Sequence, residues 1–205
     1  MQKGVVACGG MVVGLVLLVT AFLGPWYTMS GSGAFGVNYN VDLFLTRMAA
    51  KGTIAGQDIS LSVSYADAQQ SAQAAGVNTE SFAVINTAMF LTILAIVTAI
   101  IAVIGMLAFV MSMGSQKTMK LVGGGFGILT FIFTLVPALY FMSTGFAQSS
   151  NGFWFSQTVL GMTLSGGPGY SWYLMIVVAI ISVIASVALL MKNVGPEKAT
   201  SSTFQ

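Results

Sequence analysis

Charge is the scarcest property of this 205-residue chain: seven lysine and arginine residues and five acids make up 6% of it, against the roughly 25% of an ordinary soluble domain. Histidine is missing altogether, which removes the commonest acid-base group and metal ligand. A single cysteine, Cys8, excludes any intrachain disulfide. No Asn-x-Ser/Thr acceptor occurs, so glycosylation gives no sign of a secretory route. A net charge of +2 is too small to attract nucleic acid.

What fills the chain instead is apolar, at 56%. Four stretches, residues 5–24, 84–111, 121–141 and 172–191, reach the roughly 20 helical residues that cross a hydrocarbon core about 30 Å thick. None of the four carries a charged residue. The first follows Lys3 and contains Val19-Thr20-Ala21, but it is longer than the apolar region of a cleaved signal peptide and reads as a retained span. The expectation is one integral membrane domain over 1–205, with outer loops at about 25–82 and 147–171 and a polar, disordered tail at 193–205.

Basic residues set the orientation. Lys3, Lys117, Lys120, Lys192 and Lys198 fall on one side of the spans, whereas Arg47 and Lys51 lie on the other with Asp42, Asp58, Asp67 and Glu80. Both termini are therefore expected in the cytoplasm, in a multi-pass protein of the plasma membrane whose loops face outside.

The first outer loop alternates as a strand does. Val37, Tyr39, Val41, Leu43 and Leu45 interleave with Asn38, Asn40, Asp42 and Thr46, and Ile59, Leu61, Val63 and Tyr65 interleave with Ser60, Ser62 and Ser64. Gly52 and Gly56 between the runs read as turn material, so the two runs are expected to pair as an antiparallel hairpin with one apolar face. Such a hairpin is marginal alone, and its face must lie on something. Residues 30–36 read as a glycine-rich link, and 66–75 as a short exposed helix closed by Gly76.

In the second outer loop, Phe153-Trp154-Phe155 followed by Ser156, Gln157, Thr158 and Val159 predicts a strand able to join the hairpin's edge. Phe153, Trp154 and Phe155 are candidate interface residues, either the inner face of the sheet or an exposed patch that contacts another protein, and alternation would bury Phe153 and Phe155 together and turn Trp154 the other way. Trp154 is thus the leading candidate for an interface anchor, either to a partner protein or at headgroup level. Gly166-Gly167-Pro168-Gly169 reads as a turn. Pro25-Trp26-Tyr27 and Tyr170, Trp172 and Tyr173 read as aromatics at the membrane interface.

The spans carry little chemistry. Small residues four apart, Gly10 and Gly14, Gly123 and Gly127, and Ser182 and Ser186, mark faces for close helix packing. Pro137 is expected to kink the third span, with Thr134 or a neighbouring helix covering part of the lost hydrogen bond. Asn86 is read as a helix-to-helix hydrogen bonder. Met111 and Met113 are soft enough for Cu(I), but without cysteine or histidine beside them they read as packing residues. The glycines at 123–127 lack the strand and lysine of a phosphate loop. The acids of the outer loop are irregularly spaced and read as solvated surface, so no catalytic, cofactor or metal site is expected.

Four spans with both ends inside, a long first outer loop of strands, a shorter second loop and a tight inner turn resemble the claudin and peripheral myelin protein superfamily. The local matches are Pro25-Trp26 at the exit of the first span and Gly169-Tyr170-Ser171-Trp172-Tyr173-Leu174 before the fourth. Claudins carry a Gly-Leu-Trp motif and a cysteine pair in the first outer loop, and this chain has neither. The resemblance implies a left-handed four-helix bundle crowned by an antiparallel sheet, a scaffold of adhesion, barrier and channel-auxiliary proteins.

Together these readings give a non-enzymatic tetraspan protein of the lipid bilayer that works through contacts of its outer sheet and loops, as a homo-oligomer or a subunit of a membrane complex. A pore or transporter subunit is the alternative, since selectivity can come from loop residues or backbone carbonyls. Single cysteines at Ser62, Ser115 and Ser201 test the orientation. An impermeant reagent on intact cells should label Ser62→Cys alone, and labelling of Ser115→Cys or Ser201→Cys would overturn it.

Overall fold

The computed structural model describes residues 2–33, 36–54, 56–76, 80–144, 152–159 and 161–191. The tail 193–205 and the start of the second outer loop, 147–151, lie outside the described residues. Four helices are long and apolar enough to cross a membrane, as expected of a membrane protein: α1 (Gln2–Leu23), α3 (Glu80–Val110), α4 (Gln116–Thr144) and α5 (Tyr170–Leu190). Continuous apolar sequence with no interior charge makes each of them a helix, because only internal hydrogen bonding satisfies the backbone in hydrocarbon. They pack in a closed cycle, α1 on α3 and α5, and α4 on α3 and α5.

Two of the helices, α3 and α4 with 31 and 29 residues, are longer than a hydrocarbon core is thick. At 31 residues α3 is about 46 Å long, well beyond a hydrocarbon core of about 30 Å. Its first turns stand beside a sheet at the end of the helices where α1 finishes and α5 begins. There Phe82 of α3 meets Tyr65, ring centroids 6.1 Å apart.

That sheet has six antiparallel strands in the order β4-β3-β2-β1-β6-β5: β1 (Tyr27–Gly33), β2 (Val37–Leu43), β3 (Arg47–Ile54), β4 (Gln57–Ser64), β5 (Phe155–Val159) and β6 (Met162–Pro168). The two alternating runs are therefore both strands but do not pair with each other. The segment between them, read as turn material, is β3, and it separates them with Leu43 opposite Met48 and Met48 opposite Val63. The glycine-rich link is largely β1, and the run read as a turn at 166–168 is the end of β6.

Glycine misled the composition argument because its missing side chain is supplied from the opposite strand. The ring of Tyr39 lies on Gly31, Phe155 on Gly166 and Met162 on Gly33, each where a Cβ would otherwise stand. Cross-strand pairs of this kind carry the stabilisation that the glycines cannot. The short helix is α2 (Tyr65–Ala74), capped by Ser64, whose hydroxyl accepts from the Asp67 amide at 3.2 Å and donates to the Asp67 carboxylate at 2.6 Å.

Within the helices, two backbones approach closely at Gly105 of α3 and Gly123 of α4. A Cβ on Gly105 would lie 2.7 Å from the Gly123 nitrogen, and one on Gly123 would lie 2.9 Å from the Met106 nitrogen. Gly127 faces Ser186 of α5 so closely that a Cβ would collide with its hydroxyl. Gly10 and Gly14 face Ile181 of α5 with more room, since a methyl there would reach 3.9 and 3.5 Å. α4 continues through the buried Pro137. The Thr134 hydroxyl donates to the carbonyls of Thr130 and Phe131, so it does not reach the Phe133 carbonyl whose donor Pro137 removes.

This geometry separates two glycine substitutions that look alike in sequence. Gly105→Ala should destabilise the protein by about 1–3 kcal/mol through forced separation of α3 and α4, despite its better helix propensity. Gly9→Ala, with nothing within 4 Å of the new Cβ, should be neutral or slightly stabilising. Thermal unfolding of both variants in detergent checks the contrast.

Candidate functional site

Aromatic side chains gather where the sheet meets the helix ends, and Phe153 is their centre. Only 4% exposed, it packs on Tyr27, Phe141, Trp154 and Trp172 with ring centroids 5.4, 6.3, 4.8 and 5.7 Å away. The polar ends of these rings are engaged. Tyr27 donates its hydroxyl to the Phe153 carbonyl at 3.0 Å, and the indole nitrogens of Trp26 and Trp172 donate to the carbonyls of Ala21 and Ala138 at 2.9 and 2.8 Å. Burial pushes the Tyr27 phenol above its usual range, which keeps it neutral and able to donate at any ordinary pH.

Trp26, Tyr27 and Trp172 are thus interior residues rather than headgroup anchors. Tyr170 and Tyr173 are the exposed aromatics of that segment. Both tryptophans flank helix ends, and a bond from an indole to a helical carbonyl is the detail that sequence spacing did not announce.

Trp154 is 51% exposed, although one edge of its ring lies over Gly167 and Trp172. Phe155 lies in β5 on the same face as Tyr27 and is half-buried over Gly166. The buried member of the triplet is Phe153, just ahead of the strand.

Strand register sorts the whole sheet into two faces. Val63 and Leu61, Met48 and Ala50, Leu43 and Val41, Tyr27 and Met29, Leu164 and Phe155 stand on one of them. Ser60 and Ser62, Lys51 and Thr53, Asn38 and Asn40, Ser30 and Ser32, Thr163 and Ser165 stand on the other. The inner part of the apolar face, with Tyr27 and Leu43 fully buried and Met29, Val41 and Met48 packed against them, belongs to the main core. Its outer part does not. Ile59 and Leu61 on β4 are 46% and 54% exposed, and Ile54 and Val159 are similarly open.

The remaining polar candidates fall elsewhere. Asp67 accepts from the capping Ser64 hydroxyl in the first turn of α2, and Asp42 accepts a long 3.5 Å bond from Asn40. Asn86 is exposed rather than turned to a neighbouring helix, as are Met111 and Met113 at the far end of α3. Among the described residues no cluster of histidine, cysteine and acid suits a metal ion. The Tyr65 hydroxyl is buried against Phe82 with no hydrogen-bond partner among the described residues, and burial raises its pKa.

In comparison with known proteins, the chain matches no family model and no curated protein.

The aromatic centre and the exposed ring beside it predict opposite phenotypes. Phe153→Ala should cost about 3–5 kcal/mol, as loss of a core aromatic does. Trp154→Ala should keep the fold and weaken association by about 2 kcal/mol or more if the ring is an interface anchor. Thermal unfolding of both variants together with a self-association assay distinguishes the two roles, and unfolding by Trp154→Ala would sink the assignment.

Proposed function

We propose that the chain is a non-enzymatic tetraspan protein of claudin-like architecture, a four-helix bundle in the plasma membrane with cytoplasmic termini. Its outward-facing sheet makes protein contacts, with copies of itself or inside a larger complex, in adhesion, barrier formation or complex assembly. The observation that carries this reading is the uncovered outer part of the apolar sheet face along β3 and β4. Contiguous exposed apolar surface of this kind marks interaction sites in soluble regions of proteins. Beside it, β4 ends the sheet and presents an unpaired backbone edge with Asp58 as its one charged residue.

A pore or transporter subunit is the second reading, favoured by hydroxyls buried between the helices. Thr130 donates to Thr98 at 3.1 Å across α4 and α3, with Thr92, Thr134, Ser182 and Ser186 also buried. Thr92, Thr98, Thr130, Thr134 and Ser186 also donate to carbonyls of their own helices, which supports helix packing over conduction. Solute flux in reconstituted vesicles separates the two.

Under the first reading, purified protein runs above monomer mass in detergent and in nanodiscs. Leu61→Lys should shift it towards monomer at least tenfold in dissociation constant while changing stability by no more than about 0.5 kcal/mol, since the side chain is already exposed. A wild-type protein that is strictly monomeric and partnerless in both media would count decisively against it.

A further inference from the structure

The polar face of the sheet carries a groove of about 400 Å³ over β3, β2, β1 and β6. Register arranges its lining in two rows that cross the strands. Ser165, Ser30, Asn40 and Lys51 form one row. Thr163, Ser32, Asn38 and Thr53 form the next, farther from the helices. Neighbours within a row are one strand spacing apart, about 4.8 Å, so each row is a track of hydroxyl and amide groups.

Little of this hydrogen-bonding capacity is used within the protein. Ser30 and Ser165 share a bond of 2.8 Å, Thr163 shares one of 3.2 Å with Thr158, and Asn40 reaches Asp42 only at 3.5 Å. Among the described residues, the side chains of Ser32, Asn38, Lys51 and Thr53 make no hydrogen bond to another protein group. Lys51 is the one charged residue lining the groove. Its cross-strand neighbours are Asn40 and Ser60, and it forms no ion pair among the described residues. Asp42 and Asp58 sit diagonally from it, at the 7–8 Å or so typical of such pairs.

We propose that this groove binds a singly charged glycan, a sugar chain bearing one carboxylate, laid across the strands with that carboxylate at Lys51. Hydroxyls and amides both donate and accept, which matches a polyol better than a phosphate, an acceptor without donors of its own when fully ionised. A single unpaired lysine suits an isolated carboxylate. It does not suit a polyanionic membrane surface, because the same face carries Arg47 and Lys51 offset by Asp42 and Asp58. An apolar peptide finds no pocket here, since the Tyr39 ring is turned to the other face onto Gly31.

The site lies on the face opposite the proposed protein contact and stands independently of it. Protein in nanodiscs of neutral lipid can be titrated with a cello-oligosaccharide bearing one uronate, with the neutral cello-oligosaccharide and with phosphatidylserine vesicles. The uronate-bearing chain should bind more tightly than the neutral one, Lys51→Glu should weaken it at least tenfold, and Lys51→Arg should restore it. Replacing Thr53 and Thr163 together by valine should also weaken binding with the charge intact. No binding of the uronate-bearing chain, equal binding of the neutral chain, binding to vesicles alone, or an unchanged affinity in Lys51→Glu would each overturn the proposal. Thermal unfolding of Lys51→Glu shows whether the fold is kept. Leu61→Lys should bind the sugar as wild type does, which separates failure of this site from failure of the association surface.

Discussion

The sheet is fixed to the helices by a backbone clasp at Pro25, Trp26 and Gly169. Pro25 has no N–H with which to continue α1, so the chain leaves the helix there. The Trp26 amide then donates to the Leu43 carbonyl at 2.7 Å, and the Gly169 and Ser171 amides donate to the carbonyls of Trp26 and Pro25 at 2.9 and 3.2 Å. A side chain at Gly169 would collide with the Pro25 carbonyl, so only glycine permits this approach. These bonds fix Tyr27 between Leu43 and Pro168, and that pairing sets the phase of every strand beyond it. A slip of one residue would turn the apolar face outward throughout.

The helices were legible because their signal is length and uniform apolarity, which tertiary context cannot disguise. Residues 37–43 and 57–64 were legible as strands for a similar reason, since period-two alternation survives whatever partner a strand finds. Their partners were not. Alternation says which residues share a face, but nothing in Val37 or Ile59 states that residues 47–54 pass between them. Residues 27–33 and 162–168 were hidden more deeply, because Gly31, Gly33, Gly166 and Gly167 carry the composition of turns. Pro168 completed the disguise, although a proline at the end of a strand leaves the ladder intact. The cross-strand covering of glycine by Tyr39, Met162 and Phe155 is a long-range fact.

The aromatic centre was only half legible for a related reason. The spacing of Phe153, Trp154 and Phe155 predicts alternating burial, and Phe153 is buried while Trp154 is exposed, although their rings pack 4.8 Å apart. What decides how deeply each is buried is the position of Phe141, Tyr27 and Trp172, drawn from three other segments. Phe153 takes the interior place because it precedes the strand and reaches the helix ends, whereas Phe155 is already out on the sheet.

The uneven covering of the apolar face follows from how far the helices extend. Phe82 and Phe141, near the sheet ends of α3 and α4, meet Tyr65, Trp26 and Phe153, so the inner strand ends rest on the core. Strands of seven and eight residues run about 23–27 Å, and beyond the inner residues no described helix covers Ile54, Ile59, Leu61 or Val159. An apolar face and a polar groove then sit back to back on one thickness of backbone. Because successive side chains alternate, Ser60 belongs to one surface and Leu61 to the other. Each surface can therefore be altered without touching the other, which leaves the two faces of one small sheet chemically independent.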